Sequence, residues 1–157
     1  MKYDTIQGLE KKISKLILGN DNQTEYDSAA ELWDHWMKVG GNAFDNAHIY
    51  GGGLMEKLLG EWHIKRKNRE SLVIIAKGAH TPNCNPQGVS DQLTESLERL
   101  KIDCADIYIM HRDNIDVPVD EFIDALNKEK DKGRIKIFGG SNWTLNRFSE
   151  ANDWANK

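Results

Sequence analysis

Short apolar runs alternate along this chain with longer stretches in which apolar residues recur every three or four positions. The first run, Lys15–Leu16–Ile17–Leu18–Gly19, ends at a glycine. Thr24–Val39 follows, where Tyr26, Ala29, Ala30, Trp33, Trp36 and Met37 form a helical stripe that Gly40 and Gly41 stop. Asn42–Ala43–Phe44 is a short second strand, and Leu54–Lys65 a helix with Leu58, Leu59 and Trp62 on one side. Leu72–Val73–Ile74–Ile75–Ala76 is continuously apolar, the mark of a strand buried on both faces. Asn85 can cap the next helix with Pro86 in its first position, and Val89, Leu93, Leu97 and Leu100 line one face of it. Asp106–Met110 is a fourth strand, Val119–Asp131 a fourth helix and Ile135–Phe138 a fifth strand. Leu145–Asn156 reads as a last helix with Leu145, Phe148, Ala151 and Ala155 inward.

Strand, loop and helix thus repeat five times without a linker, so residues 1–157 form one domain. That order predicts an α/β fold of parallel strands joined by right-handed crossovers. An open doubly wound sheet and part of a (β/α)8 barrel both fit. Composition narrows the class rather than the fold. Acidic residues outnumber lysine and arginine, 25 to 21, and the basic ones are dispersed, which argues against a nucleic-acid partner. No apolar run approaches the roughly 20 residues of a membrane helix, and the N-terminus lacks the apolar core of a signal peptide. Cys84 and Cys104 are too few for a disulfide framework. The expectation is a soluble cytoplasmic protein with no nucleic-acid or membrane partner.

Both architectures place chemistry at the C-terminal ends of strands. Gly19, Asn20 and Asp21 stand after the first strand and Asp45, His48 and Tyr50 after the second. Lys77 follows the third, His111 the fourth, and Ser141 with Asn142 the fifth. A lysine at the end of so apolar a strand is desolvated, and Asp45 is its natural partner; a plain structural ion pair is about as good a reading. Beside an ammonium, Tyr50 becomes a usable general acid, whereas alone it is a loop aromatic. His111 alone reads as a satisfied interior histidine. The His111–Arg112–Asp113 order resembles a kinase catalytic loop, but the companion kinase elements are absent. Gly51–Gly53 reads as a flexible turn, since it fits neither the P-loop nor the dinucleotide fingerprint. His80 and Cys84 make a poor metal site, so no metal is expected. His35 and His63 read as exposed or interfacial, and the charge run Lys57–Glu70 as a solvated helix face with its exit loop.

Taken together, GGNAFDNAHIYGGG, LVIIAKGAH, ESLERLKIDCADIYIMHRD and GRIKIFGGSNW resemble the aldo-keto reductase family, in order and spacing, from about Ile13 to Asn152. The resemblance implies a (β/α)8 barrel that moves hydride between NADPH, or less often NADH, and a small carbonyl substrate. Tyr50 matches the general acid, Lys77 the lysine that makes it more acidic, Asp45 the aspartate paired with that lysine, and His111 the histidine that orients the carbonyl. Ser141 and Asn142 match the pair that holds the nicotinamide carboxamide, and Gly19 and Asn20 join Asp45 on the cofactor side. Asn46 stands where threonine is usual and Gly140 where valine is common; neither removes a catalytic group.

Length is the larger departure. A barrel of this kind takes about 250 residues, and the last three of its eight β/α units have no counterpart here. In the family, those units carry the residue that stacks on nicotinamide and the loop that grips the adenosine phosphate. The expectation is therefore about five of eight units, the N-terminal fragment of a longer reductase, inactive by itself. One alternative is a non-catalytic half-barrel that binds another chain, or itself, through open sheet edges. A remoter one is an open α/β hydrolase using Asp45 and His111 with a metal.

Overall fold

A computed structural model describes residues 1–155; the expected end of the last helix at Asn156 lies outside the described residues. The chain opens with an antiparallel hairpin, β1 (Tyr3–Asp4) and β2 (Ile13–Ser14), that the sequence pattern does not announce. Five parallel strands follow: β3 (Leu18–Gly19), β4 (Ala43–Asp45), β5 (Val73–Gly78), β6 (Ala105–Met110) and β7 (Ile135–Gly140). They lie side by side in chain order. The helices α1 (Tyr26–Lys38), α2 (Leu54–Arg66), α3 (Pro86–Leu100), α4 (Val119–Asp131) and α5 (Leu145–Ala155) alternate with them. Among the described residues, no helix is long and apolar enough to cross a membrane.

Burial separates the two architectures left open above. Alternate strand residues face opposite sides. Phe44, Ile74, Tyr108 and Met110 point into one core with Trp33 of α1, Trp62 of α2, Leu93 of α3 and Phe122 of α4. Trp62 packs edge-on to Trp33 at 5.5 Å and against Phe44 at 5.6 Å. The other set, Ala43, Val73, Ile75 and Ile107, packs against Leu9 and Ile13 of the hairpin region. All helices thus cover one face, and the strand order never reverses. A doubly wound sheet has helices on both faces and a reversal in strand order; this is a partial (β/α)8 barrel.

Several local expectations need correction. Of Lys15–Gly19, only Leu18 and Gly19 join the sheet, and Leu16 and Ile17 are exposed. In α5, Leu145 is 81% exposed and Ala155 also faces outward; Ala151 is buried as expected, and Arg147 anchors the helix beside it. Arg147 donates to Asp113 and to the carbonyl of Asn114 and stands beside the rings of Phe122 and Trp143. His63 is buried, with Nε2 2.7 Å from the Leu100 carbonyl oxygen. Asn85 caps α3 as expected, accepting from the Gly88 N–H at 2.9 Å.

The end of the sheet opposite the site is fixed by a buried charge. Asp106 is fully buried at the start of β6, 3.2 Å from Lys11 Nζ and 2.8 Å from Arg69 Nη1, and it accepts the Ile74 N–H at 2.9 Å. It joins the hairpin, the turn before β5, and β6. Breaking such a set by deleting one partner leaves uncompensated buried groups. Asp106→Ala is expected to cost about 3–5 kcal/mol in urea unfolding; a loss under about 1 kcal/mol, the scale of an exposed pair, would show that the cluster is not structural.

Candidate active site

Beyond β4 the chain stays tied to β5: the Asn46 N–H donates to the Ile75 carbonyl at 2.9 Å and the His48 N–H to that of Lys77 at 2.8 Å. It then enters a tight turn over Tyr50–Gly53, with φ of 56°, 62° and 90° at Gly51, Gly52 and Gly53. Those left-handed angles strain any residue with a Cβ. The glycines therefore fold the chain back sharply enough to bring the Tyr50 hydroxyl over β5.

There it meets Lys77. Parallel pairing sets Asp45 opposite Ile75, so Asp45 and Lys77 emerge on the same face two residues apart in register. Lys77 is 8% exposed; its Nζ donates to Asp45 Oδ2 at 2.7 Å and to Tyr50 Oη at 2.9 Å. Burial pulls the lysine pKa down, but the hydrogen bonds it donates to Asp45 and Tyr50, with their charge, together outweigh it and leave the pKa raised. The ammonium keeps its charge. Because Tyr50 Oη accepts from Lys77, its own O–H is free to point at a substrate.

His111 follows β6 directly, its N–H donating to the Gly78 carbonyl at 2.7 Å. Its ring stands edge-on to Tyr50 at 5.8 Å and to His80 at 4.9 Å. Burial, with the charges of Lys77, His80 and Arg112 added, pushes its pKa down to about 4. At neutral pH it is an uncharged imidazole with one N–H to donate. His80, weighed above only as half of a metal pair, proves to be the neighbour of His111. Its supposed partner Cys84 is buried, which pushes that thiol up to about 11 and makes it unreactive.

The expected cofactor residues are disposed unevenly. Ser141 continues β7, its N–H donating to the Met110 carbonyl at 2.8 Å. Asn142 is left-handed at φ 63°; its Nδ2 donates to the His111 carbonyl at 3.0 Å and to Ser141 Oγ at 3.1 Å. Gly19 is exposed, with open space where a Cβ would sit. Asn20 is fully buried, and its Oδ1 accepts from Trp33 Nε1 at 2.8 Å, so its side-chain carbonyl is turned into the helix layer. Among the described residues no three metal-ligating side chains come together.

One cation, one phenol and one neutral imidazole thus converge at the ends of β4, β5 and β6. Fixed donors and positive charge around one point suit a reaction in which negative charge develops on oxygen. Comparison with known proteins agrees in kind. The sequence model of the aldo/keto reductase family matches residues 15–157. A probable voltage-gated potassium channel subunit beta from Oryza sativa subsp. japonica is 29% identical over 100% of this chain and 51% of its own length. The aldo-keto reductase yakc [NADP(+)] of Schizosaccharomyces pombe is 29% identical over 74% of this chain and 37% of its own. Among solved structures, the thermostable aldo-keto reductase Tm1743, in complex with the inhibitor epalrestat, superposes with a TM-score of 0.85 at 28% identity. That match covers 98% of this chain and 58% of that one. The chain spans about half the length of its first relatives.

His111 is expected to titrate at about 4 when its ring is followed by NMR, against about 6.5 for a free histidine. Its folded pKa lies below the unfolded one, so the unfolded chain takes the proton first. Stability is therefore expected to fall as pH drops from about 6.5 toward 4 and to lose nothing further from this group below that. His111→Gln should flatten that part of the profile in urea unfolding; a midpoint at 6 or above would overturn the assignment of a neutral imidazole.

Proposed function

This chain belongs to the aldo/keto reductase family, and on that premise we propose that it carries the proton-delivery half of an NAD(P)H-dependent carbonyl reductase. The observation that carries the reading is the unbroken chain Asp45–Lys77–Tyr50, joined at 2.7 and 2.9 Å. The substrate is a small aldehyde or ketone. The bound nicotinamide supplies hydride. Tyr50 gives its proton to the carbonyl oxygen as charge builds there. The Lys77 ammonium stabilises the phenolate left behind, and Asp45 holds that ammonium in place. Neutral His111 donates a second hydrogen bond to the same oxygen and fixes the carbonyl's direction.

The residues present fit the cofactor. Asn142 spends its Nδ2 inside the protein, which leaves its Oδ1 for a carboxamide N–H, with Ser141 alongside. Gly19 leaves open space at the end of β3. NADPH is the preferred form, supported by the NADP(+) in the name of the yeast relative, with NADH the alternative. Catalysis belongs to the completed barrel in the cytoplasm, and these five units alone are inactive. A second reading, a half-barrel that binds another chain or a copy of itself, is favoured by the free edges of β3 and β7 in the described sheet.

In the completed barrel, Tyr50→Phe is expected to lower aldehyde reduction by about 10²–10⁴-fold, while NADPH binding, followed by fluorescence, stays near wild type. Lys77→Met is expected to shift the pH profile of reduction. Turnover retained by Tyr50→Phe would remove the general acid from this reading.

A further inference from the structure

The turn that carries Tyr50 is built on glycine. Its backbone hydrogen bonds run within the turn itself: Tyr50 N–H to the Ala47 carbonyl and Gly52 N–H to that of Ile49, both at 3.0 Å, and Leu54 N–H to that of Gly51. A backbone so permissive has many alternatives to the one seen. Tyr50 Oη, moreover, meets Lys77 at a single point. A hold from outside the turn adds to these contacts and to the packing of the Tyr50 ring on the core.

That hold comes from α3. Arg99 Nη1 donates to the His48 carbonyl at 3.1 Å and lies 3.3 Å from Glu56 Oε2. Its Nη2 donates to Glu95 Oε2 at 2.7 Å, and the same oxygen lies 2.8 Å from His48 Nε2. On the far side of Tyr50, a Cβ added to Gly53 would fall 2.5 Å from Arg99 Nη1 and 2.6 Å from Cζ, so the backbone there lies directly on the guanidinium. Arg99 therefore grips the turn both before and after Tyr50. Glu56, fully buried on α2, faces the same guanidinium. Burial raises the Glu56 carboxyl, against the pull of Ser96 and Arg99. A planar fork of five donors can serve these acceptors together; a lysine ammonium cannot.

We infer that Arg99 is a positioning residue for Tyr50. It clamps His48 and Gly53 and thereby fixes the Tyr50 hydroxyl on Lys77 and the Tyr50 ring edge-on to His111. The inference rests on the reading of Tyr50 as the general acid. In the completed barrel, loosening the clamp lowers kcat rather than raising KM, because a displacement near 1 Å of a reacting group costs about 10²-fold.

The test uses this chain, isotope-labelled for NMR. In Arg99→Met, the Tyr50 and Gly52 amides are expected to exchange at least about tenfold faster, the opening that a lost tether permits. The cross-peak between the Tyr50 and His111 rings should fade while β5 and β6 amides keep their protection. Arg99→Lys should restore only part of both signals. Arg99→Met also strands the Glu56 carboxylate, so Glu56→Gln/Arg99→Met is made beside it and decides the matter if the single variant does not fold. Unchanged exchange and an unchanged ring cross-peak in either folded variant overturn the inference. Failure of the catalytic reading is seen separately, as turnover retained by Tyr50→Phe in the completed barrel, whereas the exchange and ring signals are read in Arg99 variants that keep Tyr50.

Discussion

A lysine ammonium that is almost out of water is the constraint on which this site depends. Lys77 ends an apolar strand and is 8% exposed, so it keeps its charge only because Asp45 and Tyr50 lie within 2.9 Å. Each neighbour owes its place to a different level of structure. Asp45 arrives by strand register, since β4 and β5 run parallel with Asp45 opposite Ile75. Tyr50 arrives by a glycine turn. A pair of this kind is a weak source of stability, because desolvation offsets most of the Coulomb gain. Apolar residues of similar volume in place of the whole set would serve the fold as well or better. The arrangement suits the proposed chemistry at the phenol oxygen, with the fold supplying the geometry.

The remainder of the site follows from the same register. His111 and Ser141 are the residues immediately beyond β6 and β7, and each N–H continues the ladder, to Gly78 and Met110 respectively. Neighbouring strands thus deliver one functional side chain each to a common rim. The opposite end is tied by Asp106, Lys11 and Arg69. One end of the sheet holds charges for reactivity and the other holds a charge for connection between the hairpin and the strands.

Much of this was legible in the residues because the signals were local and strong. The run Leu72–Ala76 could only be a buried strand, and a lysine directly after it demanded an acid. Glycines at three successive positions marked a turn, read as flexible, that proves tight. Features built from distant pairs were not legible. Arg69 sits in a charge run that reads as solvated, yet its partner is 37 positions away at Asp106. Arg99 and Glu56 look like ordinary helix-surface charges until α2 and α3 are packed together. The hairpin strands are two residues each, too short to show a period. Leu145 fits an apolar stripe, but α5 is anchored by an arginine, which a hydrophobic pattern counts as outward. Asn20 was assigned by position to the cofactor side, and the partner that turns its side-chain carbonyl inward, Trp33, lies on the next helix.

The order of assembly carries a physical consequence. Asp45, Lys77, Tyr50 and His111 are already joined within five strands, before any further strand covers the face on which they stand. On that face the hairpin region covers Val73, Ile75 and Ile107, while Ile109 and Ile137, nearer the site, are only partly buried. Water beside the site raises the local dielectric, and a charge interaction that is strong in a dry cavity is weakened severalfold in its presence. Geometry and electrostatic strength are therefore separable here. The strands present fix the positions of the proton donor, the ammonium and the imidazole. In the proposed reaction, covering the remaining face would exclude water and strengthen the stabilisation of a developing oxyanion at those positions. On that reading, the five units specify where charge would be stabilised, and closure of the barrel would set by how much.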